Sequence, residues 1–324
     1  DGLNRPTSFE TETAIAFCYF MDKNVDILLL ETGMGGLLDA TNVCKSPLCT
    51  IIASISMDHT QFLGDTLQKI YSQKLGIMKK NVPCVAYPVN EDLMTQWIEK
   101  CDENATTGSS VMVNPSDIGI LHSGLDGSSY IYKGNTYDLA VPGIYQIYNS
   151  VVAVETAYML QKEGYDLKNV NISEGLAATR WKGRFQKLMD VPPVYVDGAH
   201  NPGGALRKNI DTYFPGRDLI YICGVFRDKD YRQMLEIMMP GAGSFIAVQP
   251  DNPRALSNRE LGELAKMYID SVYVQDDVDD AVEQALRISS EVEDPVVIIF
   301  GSLSFIGPII DRAEHGCYKK DYHH

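Results

Sequence analysis

The sequence predicts an α/β fold in two successive units, and three observations carry that expectation. Strand-sized apolar runs alternate with stretches of helical spacing through both halves of the chain, the pattern of a parallel sheet covered by helices. At 324 residues the chain is long enough for two hydrophobic cores. Between the halves, Ser129 to Leu139 changes to aromatic alternation around Gly134-Asn135, a two-residue hairpin signal that marks a small antiparallel excursion.

Taken in order, Thr11 to Phe20 reads as a helix, Val25 to Leu30 as a buried strand, Thr50 to Ser54 as another strand and Leu67 to Lys79 as a helix. After the hairpin, Ile144 to Gln161 returns to helical spacing. Val194 to Val196, Leu219 to Cys223, Ser244 to Val248 and Val296 to Phe300 are the strands of the second series. The junction is expected near Thr179 to Phe185. Asp276 to Asp280 reads as a helix start, because carboxylates favour the positive end of a helix.

Composition narrows the function. Hydrophobic residues make up 45% of the chain and charged ones 22%, as in a globular protein. The 28 basic against 43 acidic residues give a net charge of −15, which repels a polyanion such as duplex DNA. No apolar run approaches bilayer length, so no membrane span is expected. The cysteines at 18, 44, 49, 84, 101, 223 and 317 are an odd, scattered set without CxxC spacing, the usage of reduced thiols in a cytoplasmic protein.

Four segments place ionisable groups just beyond apolar runs. In VDILLLETGMGGLLDATN, Glu31 and Asp39 flank a turn in which Gly33, Gly35 and Gly36 allow backbone amides to approach an anion. A carboxylate at a strand end is placed to hold magnesium; the alternative is a tight turn with an N-cap. TIIASIS runs into Asp58-His59, where His59 either ligates a cation or caps a helix, and neighbouring strands would let Glu31 and His59 share one ion. Lys74 sits among apolar neighbours on a predicted helix, the setting of a surface lysine with a buried stem. PPVYVDGAHNPGG repeats the strand-then-acid arrangement at Asp197 and His200, where Asp197 either binds ribose hydroxyls or a phosphate or closes an Asx turn. Before it, Trp181-Lys182-Gly183-Arg184 puts a guanidinium suited to phosphate beside an indole.

Read together, these segments with Pro6-Thr7-Ser8-Phe9-Glu10, QKLGIMK, PGIYQIYNSVVAVE, TRWKGRFQ, CGVFRDKD and IFGSLSFIG resemble the folylpolyglutamate synthase and dihydrofolate synthase family of Mur-type ligases from about Arg5 to Gly307. The resemblance implies a truncated central Mur ligase domain over 1–183 and a Rossmann-like C-terminal ligase domain over 184–324. It implies an ATP-dependent ligase that adds L-glutamate to folate or dihydropteroate through an acyl phosphate. It further implies Glu31 and His59 as ligands of Mg2+, a carbamylated Lys74, and Leu38, Asp39 and Ala40 against the pteroate. Asn149, Arg184 and Asp197 fall on ATP-contacting positions, and His200 beside the reaction zone. A cytoplasmic monomer is expected, without nucleic acid or membrane partners.

The sequence departs from the family in places. No GKS or GKT tripeptide occurs, so the family's GTNGKGS phosphate loop is expected to precede Asp1 or to be lost, leaving the chain weakly active or inactive as given. Leu37 stands where the family has arginine and Gln73 where it has glutamate. Tyr318 to His324 lies outside the resemblance and is expected to fray. The alternatives are a catalytically silent nucleotide- or folate-binding protein and another Mur-type ligase.

Overall fold

In the computed structural model, residues 5–165, 167, 171–199 and 205–318 are described. They form two compact units, one drawn from residues 5–116 with 148–165, the other from residues 117–147 with 171–199 and 205–318.

The first unit opens with α1 (Ser8–Asp22), whose start is set by a capping box in which Thr7 and Glu10 satisfy each other's backbone N–H groups. Next come β1 (Thr50–Ile52), α2 (Thr60–Leu63), α3 (Leu67–Leu75), β2 (Cys84–Ala86), α4 (Glu91–Glu103) and β3 (Val111–Met112). The strands make a parallel sheet in the order β1-β2-β3. Ile52, Tyr71, Cys84, Leu93 and Trp97 form its core, with α3 and α4 on the sheet.

One expectation fails here. Val25 to Leu30 is neither a strand nor buried: Ile27 is 61% and Leu29 85% exposed. An apolar run becomes a strand only where a neighbour accepts its backbone hydrogen bonds, and among the described residues the run is paired with no strand, the open edge of β1 included. α1 likewise buries none of its residues. The helix expected to reach Lys79 stops at Leu75, with Gly76 at its end.

The second unit begins with an antiparallel sheet of β4 (Ile118–Gly124), β5 (Gly127–Tyr132) and β6 (Asn135–Leu139). The hairpin is real but its turn lies one residue earlier than expected. Tyr132 pairs with Asn135, and the corner residues are Lys133 at φ 48° and Gly134 at φ 78°, as a tight hairpin turn requires. α5 (Ile144–Lys162) starts in this unit and from residue 148 belongs to the first.

After α6 (Ile172–Ala178) come β7 (Gln186–Asp190), β8 (Pro193–Asp197), α7 (Ala205–Tyr213), β9 (Asp218–Cys223), α8 (Tyr231–Met238), β10 (Ala242–Val248), α9 (Asn258–Ala265), β11 (Val272–Gln275), α10 (Val278–Ser289), β12 (Pro295–Phe300) and α11 (Leu303–Glu314). The strands form one sheet in the order β11-β10-β9-β12-β8-β7, parallel except for β7. Alternate side chains point to opposite faces, so Tyr221, Phe245 and Ile298 pack against α7, α8 and α9 while Ile220, Ile222 and Ile299 pack against α10 and α11. This is the doubly covered, Rossmann-like arrangement expected of the second half.

The acidic run does start a helix, with Asp277 as N-cap of α10 and Asp279 and Asp280 in its first turn. Tyr318 does not fray. It is 8% exposed and its hydroxyl donates to Asp279 at 2.8 Å, while the rest of that tail lies outside the described residues. All seven cysteines are free thiols. Among the described residues no helix is long and apolar enough to cross a membrane.

Candidate functional site

In the first unit the glycine turn is built onto the end of α3. The Leu37 N–H donates to the Gln73 carbonyl at 2.8 Å. A Cβ on Gly36 would lie 2.8 Å from that carbonyl oxygen and 3.0 Å from the Lys74 carbonyl oxygen, so a side chain there would be refused by backbone. Asn42 adds hydrogen bonds to the carbonyls of Leu37 and Gly76, and Lys79 Nζ donates to Asn42 Oδ1 at 2.7 Å. Asp39 is the turn's internal clasp. Its Oδ2 accepts from Met34 N at 2.8 Å, and its Oδ1 from Thr41 N at 2.9 Å and the Thr41 hydroxyl at 2.6 Å. Leu38 beside it is 90% exposed, an apolar side chain held out to solvent by a fixed turn. Ala40 begins the short 3₁₀ turn that Asp39 caps.

Lys74 is half-buried on α3, and burial holds its ammonium below the usual lysine range, with the Asp58 carboxylate offsetting part of the effect. The same Asp58 receives the His59 backbone N–H at 2.8 Å and stands 3.8 Å from His59 Nε2. His59 is the N-cap of α2 with a left-handed backbone at φ 50°, a conformation that costs a non-glycine residue. The structure therefore gathers Lys74, Asp58 and His59, and Asp58 is the member that the sequence reading did not single out. Its adjacency to His59 was the available signal.

Glu31 is exposed on the coil that leads into the turn, not at a strand end as expected. Among the described residues no group of three or more His, Cys, Asp or Glu side chains could hold a metal ion. Mg2+ binds through one or two carboxylates and keeps several waters, so a site of few protein ligands fits that ion better than it would fit zinc.

In the second unit the site forms at the carboxyl end of β8. Asp197 is 4% exposed, and its Oδ2 accepts from Phe185 N at 2.9 Å and its Oδ1 from Ala199 N at 2.8 Å. Burial nevertheless dominates and pushes its carboxyl up to about 6, against the opposing effects of those N–H groups and of Arg184. Arg184 is held by the turn before β7. Gly183, at φ 74°, donates to Gln186 Oε1 at 2.9 Å and accepts from Gly198 N at 2.8 Å, which fastens the arginine's loop to the end of β8. The Arg184 guanidinium lies 5.8 Å from the centre of the Trp181 ring. Trp181 itself is 59% exposed. Asn149 is exposed on α5 in the first unit. His200 lies outside the described residues.

Chemically, the second site offers a forked cation beside a buried acceptor at the strand ends, where open α/β sheets bind nucleotides. The first offers an amine of reduced basicity next to a carboxylate and an imidazole.

The Mur ligase middle domain matches residues 3–157, and the glutamate ligase domain of Mur ligases matches residues 183–303. The folylpolyglutamate synthase of Lacticaseibacillus casei is 32% identical over 309 residues, 92% of this chain and 69% of that one. The dihydrofolate synthase/folylpolyglutamate synthase of Bacillus subtilis is 30% identical over 322 residues, 95% of this chain and 72% of that one. Among solved structures, Mycobacterium tuberculosis folylpolyglutamate synthase complexed with ADP and AMPPCP superposes with a TM-score of 0.82 at 26% identity, covering 98% of this chain and 74% of its own. The Thermotoga maritima folylpolyglutamate synthase gives 0.76 at 29% identity, covering 96% and 71%.

Proposed function

The chain belongs to the folylpolyglutamate synthase and dihydrofolate synthase family of Mur ligases, and from that premise we propose that it is an ATP-dependent amide ligase joining L-glutamate to a folate or a dihydropteroate. The observation that carries the reading is the pairing of a buried acceptor, Asp197, with the Arg184 fork at the carboxyl end of a parallel sheet, in a chain whose relatives include one solved with ADP and AMPPCP.

The reaction joins two steps. The substrate carboxylate attacks the terminal phosphorus of ATP, forming an acyl phosphate and releasing ADP. The amino group of glutamate then attacks the acyl carbon, the amide forms and phosphate leaves. Both steps crowd anionic oxygens together, so the transition state is stabilised by cations aimed at them rather than by a covalent nucleophile of the enzyme. Arg184 supplies one such cation by its place beside Asp197. Asp197, an acceptor with one oxygen on each of two backbone N–H groups, faces the ribose hydroxyls, and Asn149 is the amide contact to the nucleotide.

Glu31 and His59 are the residues that would hold Mg2+, which when bound neutralises phosphate charge. Lys74 supports the same region. Burial leaves more of its amine uncharged, and only an uncharged amine adds to carbon dioxide, so carbamylation would turn it into an anion. Leu38, Asp39 and Ala40 form the pteroate-facing segment, supported by the rigid turn that exposes Leu38. His200 is assigned to the reaction zone with glutamate, and 183/184 to the division between the central and C-terminal ligase domains.

A substrate carboxylate labelled with heavy oxygen tests the sequence of steps. One labelled oxygen is expected in the released phosphate for each amide formed. Amide formation with unlabelled phosphate would overturn the acyl phosphate.

A further inference from the structure

The link between Asp197 and Arg184 has a cover that the reaction outlined above does not use. Gly198 and Gly183 each adjoin one of the two site residues, and the Gly198 N–H donates to the Gly183 carbonyl at 2.8 Å. A shift of that junction therefore moves the carboxyl and the guanidinium relative to each other. A Cβ placed on Gly198 would overlap Leu303 Cδ2 and lie 2.7 Å from Leu303 Cγ. A Cβ placed on Gly183 would lie 3.4 Å from the same Leu303 Cδ2 and 2.9 Å from Ile306 Cδ1. One methyl group of Leu303 thus lies against both glycines, in space that a side chain on either would claim.

The chain brings Leu303 there by a short route. Phe300, the last residue of β12, is the sheet partner of Asp197. Gly301 turns the backbone at φ 135°, a region that side chains disfavour. Ser302 is the N-cap of α11 and Leu303 its first residue, so the leucine stands three positions past β12, beside the end of β8. Ile306, one helical turn on, is fully buried in the core beneath the sheet, whereas Leu303 is 45% exposed and forms the rim of that core. The other tie between α11 and the turn is the ion pair of Lys182 with Glu314 at 2.7 Å, which is exposed and contributes little. The apolar contact is therefore the one that holds the turn.

We propose that Leu303 is a positioning residue for the nucleotide site: packed on Gly183 and Gly198, it keeps their backbone hydrogen bond closed and so fixes Arg184 relative to Asp197. The inference rests on the reading of those two residues as nucleotide contacts. A cation and an acceptor serve one ligand together only while their spacing suits it, and a small displacement of either weakens both. A backbone hydrogen bond in a surface turn opens readily to water unless apolar groups lie over it. Leu303 is that group for the Gly183–Gly198 junction.

The experiment follows amide exchange at Gly198 and ADP affinity on the whole chain. In Leu303→Ala the Gly198 amide should exchange about tenfold faster while the amides of β9 keep their rates, and ADP should bind several-fold more weakly. Leu303→Met keeps an apolar chain of similar reach and should match wild type in both. Gly198→Ala alone should also weaken ADP binding, because its methyl group meets Leu303. Combined with Leu303→Ala, that methyl enters the vacated space, so the double variant should bind ADP at least as tightly as Leu303→Ala. Leu303→Val, which lacks the δ-methyl groups, serves if Leu303→Ala does not fold. A leucine that only fills the core would lower the urea midpoint and leave Gly198 exchange and ADP affinity in place, and that result overturns the inference. Losses that multiply in the double variant overturn it as well. ADP affinity indifferent to both Asp197→Asn and Arg184→Ala overturns instead the nucleotide reading on which it rests.

Discussion

Phe185 donates its backbone N–H to Oδ2 of Asp197 at 2.9 Å, across the turn that also carries Arg184. One hydrogen bond thus sets the acceptor and the cation of the proposed nucleotide site relative to each other. The chain supplies the link through Gly183, whose positive φ of 74° bends the backbone before Arg184.

The raised carboxyl of Asp197 makes the site sensitive to pH. A folded-state value of about 6 against the ordinary carboxyl value of 3.8 means that the folded chain holds the proton more tightly than the unfolded one. The stability this gives is fully present below the unfolded value and is lost as pH rises through about 6, a difference on the order of 3 kcal/mol. The melting temperature of wild type minus that of Asp197→Asn should therefore fall by several degrees between pH 4 and pH 7, to be followed by scanning calorimetry. A flat difference contradicts the burial argument. ADP affinity should weaken below about pH 6 in wild type and be weak at every pH in the variant.

Lys74 predicts a bicarbonate effect. With an amine made less basic by burial, the side chain should take up carbon dioxide and show a carbamate carbon resonance in labelled bicarbonate. Lys74→Arg should lack the resonance. Ligase activity of Lys74→Ala should fall by roughly a hundredfold and recover partly on adding a short carboxylic acid, since what is missing is an anion.

Glu31 and His59 are both exposed, so replacing them should disturb chemistry more than folding. Glu31→Gln and His59→Ala are expected to keep melting temperatures close to wild type while Mg2+-dependent turnover drops by about a hundredfold or more. Equal turnover in both variants removes them from the metal site.

Gly36 tests the seat of the glycine turn. Gly36→Ala drives a methyl group onto the carbonyls of Gln73 and Lys74, and should cost about 1–3 kcal/mol in urea unfolding. Gly108 has open space around the place of a Cβ, and Gly108→Ala should unfold with a midpoint near wild type.

The second unit was the more legible half. Its strands are β-branched runs such as Val296 to Phe300, and each lies in a sheet covered on both faces, so that a continuous apolar run has one outcome. The first unit misled at Val25 to Leu30 because composition records that a segment is apolar and not whether a partner strand is beside it. The hairpin turn shifted by one because Lys133 adopts the positive φ usually left to asparagine or glycine. For the candidate site, strand-then-acid spacing pointed to Asp197 and the Trp181-Lys182-Gly183-Arg184 run to Arg184, and the structure puts both at the carboxyl end of β8. Asp58 escaped notice because its place beside Lys74 depends on contacts made by folding.

The central claim is tested most directly with the protein, ATP, labelled L-glutamate, and dihydropteroate and a reduced folate side by side. The account predicts ATP-dependent incorporation of glutamate into at least one of the two, with ADP and amide formed in equal amounts, and its loss in Asp197→Asn. Incorporation that does not depend on ATP, or an Asp197→Asn variant as active as wild type, would contradict it.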